Sequence, residues 1–142
     1  MMKKSLSMFL VLLLLLSAAP MISAQASPAL PQDRLANLIH NAPNTGVMLP
    51  ANFDPFETTY LLTVASWVSR IWFTPTAASP TAVITVNGEV VPSGTESKII
   101  QMTDEPQRVQ ITVTAYDAAQ QMSGQTTYSV FLQRRPSERR TR

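Results

Sequence analysis

The side chains that could do chemistry in this sequence are few. His40 is the only histidine, and the chain contains no cysteine. A nucleophilic relay or a closed zinc site needs several such groups close together, and no nucleophile motif surrounds any serine. A histidine in a proline-rich stretch is better explained as a solvated or capping residue. The sequence therefore predicts no catalytic residue and no cofactor, and we expect the protein not to be an enzyme.

The acidic side chains do not form a metal-binding motif either. Asp54 and Glu57, Asp104 and Glu105, and Asp117 are scattered among predicted turns. A hard cation such as calcium takes six to eight oxygen ligands, whereas isolated acids in turns accept hydrogen bonds from the neighbouring backbone. Turn chemistry explains these residues, so we expect no metal site.

Two tryptophans form the first candidate binding group. Trp67 and Trp72 follow a predicted strand, and exposed aromatic rings bury a large area on binding at a small entropic cost. They could stack on a sugar or anchor a protein contact. Alternatively, both rings help to close the hydrophobic core and bind nothing. We expect Trp72 to face outward or into a groove, because the alternative would turn Arg70 into the core.

The second candidate group is the arginine-rich tail, residues 134–142. It contains Arg134, Arg135, Arg139, Arg140 and Arg142 against one glutamate, whereas residues 27–133 carry four basic and eight acidic side chains. Guanidinium groups bind phosphate-rich lipid, envelope polymers or acidic protein surfaces. The tail has almost no apolar side chain, so we expect it to be disordered in the isolated protein and dispensable for folding. A solvated end without a ligand is the alternative.

The N-terminal part has the layout of a secretory signal peptide. Lys3 and Lys4 precede the apolar run 8–16, and small residues follow it. That run is shorter than the about 20 residues of a transmembrane helix. Residues 24–26 read Ala-Gln-Ala, so we expect cleavage after Ala26 or Ala24, no membrane anchor, and a secreted or periplasmic protein that does not meet nucleic acid.

The mature chain is organised around one hairpin, between Thr81 and Pro92. Val83–Val86 leads into Asn87-Gly88, and a second short β-branched run leads out. Asn-Gly favours a two-residue type I′ turn, because both central residues need a positive φ angle. We expect an extended lead-in over residues 27–34 and a folded domain over residues 35–133.

Short runs with a period of two fill the rest of the domain. Seven or so such runs, at roughly 8 to 12 residue spacing, predict an all-β antiparallel sandwich of the immunoglobulin type. Leu35–Ile39 suits a strand or one helical turn equally well. Phe53 and Phe56 are expected to plug one end of the core. The predicted core comprises Tyr60, Leu62, Val64, Ile71, Phe73, Ile84, Val86, Val109, Ile111, Val113, Tyr128, Val130 and Leu132.

The order and spacing of these segments resemble the cadherin-like β-sandwich domain of bacterial exported proteins. The residues that carry the resemblance are Leu35…Leu38, Leu49-Pro50…Phe53-Asp54, Thr59-Tyr60…Val64, Pro75-Thr76, Ala82-Val83…Val86-Asn87-Gly88, Ser93-Gly94, Val109…Val113-Thr114-Ala115 and Tyr128-Ser129-Val130…Arg134. One departure is the connection 118–124, which is longer than the Asp-Gly-type turn usual there.

The resemblance implies a module without shared catalytic residues, because fold alone does not fix function. We therefore expect an exported, non-enzymatic binding or structural module that contacts protein or an anionic component of the cell envelope. A glycan-binding module that uses the two tryptophans is the alternative.

Overall fold

The computed structural model describes residues 29–138, and over that range the chain forms ten β-strands and no helix. Accordingly, this range contains no helix that could span a bilayer. The strands are β1 (Leu35–His40), β2 (Gly46–Leu49), β3 (Thr59–Val64), β4 (Arg70–Ile71), β5 (Phe73–Ala77), β6 (Val83–Val86), β7 (Glu89–Val91), β8 (Ile100–Gln101), β9 (Gln107–Tyr116) and β10 (Met122–Arg134). Residues 1–26, the predicted signal peptide, lie outside the described residues, as do Arg139, Arg140 and Arg142.

The strands form two layers. One layer is a six-stranded sheet in the order β2-β3-β10-β9-β6-β7, and the other consists of the pairs β1-β5 and β4-β8. The inward side chains of both layers belong to a single hydrophobic cluster. The predicted all-β immunoglobulin-like sandwich is therefore confirmed, and Leu35–His40 is a strand rather than a helical turn.

All thirteen predicted core residues are buried. Alternation explains this result, because successive strand residues point to opposite faces of a sheet. β9 shows the pattern most clearly: Val109, Ile111 and Val113 are buried, and the residues between them are not. Within residues 29–138, every large apolar residue of the core lies between Leu35 and Leu132.

The central hairpin has the predicted geometry. β6 and β7 pair antiparallel with Val86 opposite Glu89, and the two turn residues have positive φ angles, 50° at Asn87 and 84° at Gly88. The Asn87 side chain also accepts a 2.9 Å hydrogen bond from the Gln110 N–H, which ties the turn to β9.

One strand pair departs from the antiparallel prediction. β10 runs parallel to β3, with Ser129 opposite Thr59 and Arg134 opposite Val64. No tight turn can join parallel neighbours, and here most of the domain connects them. The pairing has a direct consequence for the site: the chain following β3 and the chain following β10 leave the sandwich at the same end.

The opposite end is closed by aromatic residues. Phe53 lies 5.6 Å from the Tyr60 ring and 5.9 Å from the Tyr128 ring, measured between centroids. The Tyr128 hydroxyl donates a 2.6 Å hydrogen bond to the Pro55 carbonyl and accepts one of 3.2 Å from the Leu35 N–H. Burial raises the pKa of both tyrosines. Phe53 thus plugs this end as predicted.

Phe56 does not share that role. It is 61% exposed, and the guanidinium of Arg34 lies over its ring, 5.5 Å from the centroid. The Asp54 carboxylate accepts a hydrogen bond from the Phe56 N–H, and this local turn directs the ring away from the core.

Candidate functional site

Three chain segments meet at the end of the sandwich where β3 and β10 finish. They are the turn 65–69 after β3, the turn 102–106 before β9, and the residues after β10. β9 is antiparallel to β10, so it starts at this end. The segments line an open depression of about 510 Å³ that is bordered by Ser66, Asp104, Arg134, Arg135, Pro136 and Ser137. We call these residues together with Trp67 the Trp67–Arg135 surface.

Arg134 holds the three segments together. Its guanidinium donates hydrogen bonds to the carbonyls of Ser66 at 3.4 Å, Met102 at 3.4 Å and Thr103 at 3.3 Å. It also forms an ion pair of 3.0 Å with Asp104. The side chain of Arg134 is only 22% exposed.

The inclusion of Arg134 in the disordered tail is therefore corrected. Arg134 is the last residue of β10, because its position opposite Val64 extends the parallel pairing and its guanidinium reaches carbonyls of both neighbouring turns. It is a structural residue, and its charge is already paired. Of the two candidate arginines that the structure describes, it is the less free to contact a ligand.

Arg135 has a fixed backbone and an exposed side chain. Its N–H donates a 2.8 Å hydrogen bond to the Val64 carbonyl, which continues the β3-β10 pairing by one residue. The side chain is exposed and borders the depression. The structure therefore presents this guanidinium to solvent from a backbone position that is hydrogen-bonded to β3.

Among residues 29–138, Trp67 is the most exposed of the large hydrophobic residues, at 77%. The turn that carries it is anchored on both sides: the Ala65 N–H bonds the Thr45 carbonyl at 3.1 Å, and the Met102 N–H bonds the Ser69 carbonyl at 2.9 Å. A core role for this ring, which the sequence left open, is excluded. Trp67 directly follows Ser66, whose carbonyl Arg134 binds, so the two predicted binding groups meet at one end.

Trp72 is different, because it is only partly exposed. It separates β4 from β5, and its backbone is fixed by Asn41: the Trp72 N–H donates to the Asn41 side-chain oxygen at 3.0 Å, and the Asn41 N–H donates to the Trp72 carbonyl at 3.2 Å. Its neighbours Ile71 and Phe73 are buried, so Trp72 turns away from the core as predicted.

His40 has the capping role expected from the sequence. Its Nδ1 accepts a 3.2 Å hydrogen bond from the Ala42 N–H, and partial burial lowers the pKa of the imidazole below its ordinary value of 6.5. Among residues 29–138, no group of three or more His, Cys, Asp or Glu side chains is arranged to hold a metal ion. The acids instead serve turns: the Asp117 carboxylate, for example, accepts from the N–H groups of Ala119 and Gln121.

Charge differs between the two ends of the sandwich. The end opposite the Trp67–Arg135 surface carries the exposed acids Asp54, Glu57 and Asp117, because the loop before β3 and the loop after β9 both lie there. At the Trp67–Arg135 surface, Arg134 pairs with Asp104, and Glu105, Arg135 and Glu138 are exposed. This end therefore presents side chains of both signs.

Sequence reasoning missed Ser66 and Asp104 as parts of this surface. Asp104 lies in a predicted Asp-Glu-Pro turn, and no sequence pattern links that turn to Arg134. The antiparallel β9-β10 pairing, with Gln107 opposite Leu132, brings Asp104 to Arg134, and the parallel β3-β10 pairing brings Ser66 there.

The fold and the surface define an immunoglobulin-like β-sandwich domain with a candidate binding surface built from loops at one end. Residues 35–135 match the family described as the cadherin-like beta sandwich domain, and the chain belongs to that family. The resemblance drawn from the sequence is thereby confirmed. Domains of this family generally serve as binding or structural modules and mediate protein interactions. No curated protein and no solved structure matches the chain.

Proposed function

We propose that this protein is an exported, non-enzymatic binding module that contacts an anionic component of the cell envelope through the Trp67–Arg135 surface and the arginines that follow it. The observation that carries the proposal is the position of Trp67, a 77% exposed indole on an anchored turn, beside the point where the arginine-rich tail begins. An aromatic ring and several guanidinium groups together suit a ligand with negative charge and apolar or flat surface.

The proposed site requires a salt-dependent interaction. Arginines on a polyanion displace counterions, so affinity falls steeply as ionic strength rises. Residues 27–142 should bind an envelope fraction, and rising salt should release them. Replacing Arg139, Arg140 and Arg142 by glutamine should reduce both the retention and its salt dependence. Retention that is unchanged by this triple replacement and by salt would contradict the proposal.

The matched control avoids Arg134. A chain that ends at Gln133 loses a structural residue as well as the tail, so a binding defect in it has two explanations. A chain that ends at Glu138 removes three of the arginines and keeps every hydrogen bond described above.

Export is part of the proposal, and it rests on the sequence of residues 1–26. Intact-mass measurement of protein released by cells should give a chain that starts at Ser27, or at Gln25 if cleavage follows Ala24. A protein that keeps Lys3 and the apolar run in a membrane fraction would contradict export.

A glycan-binding function is the second candidate, and the exposure of Trp67 favours it. Stacking of an indole on a sugar depends little on ionic strength, so salt separates the two functions. Glycan binding predicts that Trp67→Ala abolishes retention at every salt concentration, whereas the arginine replacements leave it unchanged. The partial exposure of Trp72 makes it the weaker platform, so Trp72→Ala should have the smaller effect.

A further inference from the structure

The outer face of the six-stranded sheet is polar across its middle, where β9 and β10 present threonine, serine and glutamine side chains. Near the β2 edge it becomes apolar. Leu49 lies opposite Leu61, and Leu61 lies opposite Phe131, so three apolar side chains form one row across three strands. Val47 points to the same face, two residues before Leu49. Leu49 is 55%, Val47 47% and Phe131 39% exposed, and we call these four residues the β2 patch.

The backbone of β2 is also open on one side, because β2 is an edge of the sheet. The Ala65 N–H donates to the Thr45 carbonyl. In the antiparallel register of β2 with β3, Val47 and Leu49 are therefore the residues that bond β3. The N–H and C=O of Met48 consequently point away from the sheet. Within residues 29–138, no backbone hydrogen bond outside the strand pairing involves Met48.

Two other edge strands are guarded against pairing with another chain, and β2 is not. Charged side chains and bulges are the usual devices that keep edge strands apart. β7 carries Glu89, which forms a 2.6 Å ion pair with Lys98. β1 has an irregular register near its start, and the Asn37 side-chain oxygen accepts a 2.9 Å hydrogen bond from the Leu38 N–H. β2 has no charged residue and no shift in its register, so it is the edge that is open to an added strand.

A second copy of β2 fits this edge. An antiparallel pairing centred on Met48 lets the two Met48 residues exchange both backbone hydrogen bonds. It also places Val47 of each copy opposite Leu49 of the other, on the same outer face. At the next outward position, Gly46 meets Pro50. The Gly46 N–H already donates to the Ala42 carbonyl at 2.8 Å, and proline has no N–H, so the pairing leaves no N–H without an acceptor.

Charge also favours a second copy as the occupant. The β2 patch contains no charged residue, and the first charged side chain in the row is Arg108, which lies opposite Phe131 on β9. β9 is the fourth strand from the edge, and neighbouring strands are about 4.8 Å apart. The two Arg108 residues of a dimer would therefore lie more than about 30 Å apart, well beyond the screening length of about 8 Å at physiological salt. Two identical patches can thus meet without like-charge repulsion.

We propose that the protein forms a two-fold dimer in which β2 pairs antiparallel with β2 of a second copy and the two β2 patches join. The guarded β7 edge stops the sheet from growing further, so the assembly closes at two chains. Four apolar side chains are far fewer than the about 20 to 30 residues that each partner contributes to a standard interface, so the dimer is weak. It does not involve the Trp67–Arg135 surface, and its failure would leave the proposed function untouched.

Sedimentation equilibrium tests the dimer. The sample is residues 27–142, the chain expected after signal-peptide cleavage, because the apolar run 8–16 would itself associate. The weight-average mass should rise from that of one chain towards that of two between about 10 µM and 1 mM.

Lysine substitutions on the two edges of the sheet provide the matched comparison. Leu49→Lys should keep the chain monomeric over the same concentrations, because each copy would bring an ammonium group against Val47 of the other. Leu49 is already 55% exposed, so the fold tolerates the change. Val90→Lys alters a 69% exposed valine on the outer face of the β7 edge and should leave the mass curve unchanged.

Amide hydrogen exchange tests the strand pairing in the unsubstituted chain, so it holds even if a variant unfolds. Protection of the Met48 N–H should grow with the fraction of dimer. Val86 and Glu89 close the β6-β7 hairpin, so the Val90 N–H points away from β6, and its protection should not depend on concentration.

Three results would overturn the inference. The first is a mass that stays at one chain up to about 1 mM. The second is a dimer that survives Leu49→Lys in a folded chain, or that Val90→Lys abolishes, because its interface would then lie elsewhere. The third is a dimer in which the Met48 N–H gains no protection, because the two β2 strands would then not be paired.

Discussion

Removing Arg134 should destabilise the fold, whereas removing only the residues beyond Arg135 should not. The change to make is truncation after Gln133, compared with truncation after Arg135. The first loses the guanidinium bonds to the carbonyls of Ser66, Met102 and Thr103 and the backbone bond to Val64. The second keeps all of them.

The magnitude follows from the geometry. The three guanidinium bonds are 3.3 to 3.4 Å long, so we assign each about 0.5 kcal/mol, the lower end of the range for a protein hydrogen bond. The 2.8 Å bond from the Arg135 N–H adds about 1 kcal/mol. The ion pair adds little, because Asp104 is 98% exposed. The total is about 2.5 kcal/mol, which corresponds to a fall in Tm of about 10 °C or somewhat more for a domain of this size.

Thermal and urea unfolding of residues 27–133, 27–135 and 27–142 would measure this difference. In residues 27–142, Arg134→Met removes the guanidinium bonds but keeps the aliphatic part of the side chain and the backbone pairing. It should therefore lower the free energy of unfolding by about half as much as truncation after Gln133. The remaining half is then due to the backbone hydrogen bond at the end of β10. If residues 27–133 melted at the same temperature as residues 27–142, the structural role of Arg134 would be refuted. An equal loss in residues 27–135 would instead assign stability to the segment after Arg135.

Three further predictions concern the core and the two polar contacts that close it. Ile111→Asp should lower the free energy of unfolding by more than about 4 kcal/mol, because it removes a fully buried side chain and places a carboxylate there. Thr112→Asp, on the outer face, should lower it by less than about 1 kcal/mol. Equal losses would show that the two faces of β9 are misassigned. Tyr128→Phe should cost about 1 to 3 kcal/mol in denaturant unfolding, because it leaves a buried N–H without an acceptor, and a neutral result would contradict that contact. Burial lowers the His40 pKa below 6.5, so the unfolded state takes up the proton first. The contribution of His40 to stability is therefore present above the unfolded pKa of 6.5 and is lost as pH falls through that value towards the lower folded-state pKa. Protonation also removes the acceptor for the Ala42 N–H, and His40→Gln should abolish this pH dependence of the unfolding free energy.

The sequence predicts the buried faces of the strands well, because alternation is a local property. Ile111 and Thr112 are adjacent, and their side chains must point to opposite faces in any strand. The Asn87-Gly88 turn is local as well, because asparagine and glycine are the residue types that tolerate its two positive φ angles.

The candidate surface depends on contacts between distant segments, and these were only partly predictable. Trp67 and the tail were each recognisable by residue type. Their meeting at one end depends on the parallel pairing of β3 with β10, whose partners are separated by 70 positions at Val64 and Arg134. No local pattern distinguishes Arg134 from Arg135. The register of β10 directs the Arg134 guanidinium to the carbonyls of the two neighbouring turns and leaves the Arg135 side chain exposed.

Proton–nitrogen NMR of residues 27–142 during titration with inorganic polyphosphate would show whether the Trp67–Arg135 surface binds anionic ligands. We expect the backbone signals of Arg135 and Glu138 to shift in a salt-sensitive manner, while those of Phe56 and Asp117 at the opposite end do not move. Shifts centred on Phe56 and Asp117, or no shifts at low ionic strength, would contradict it.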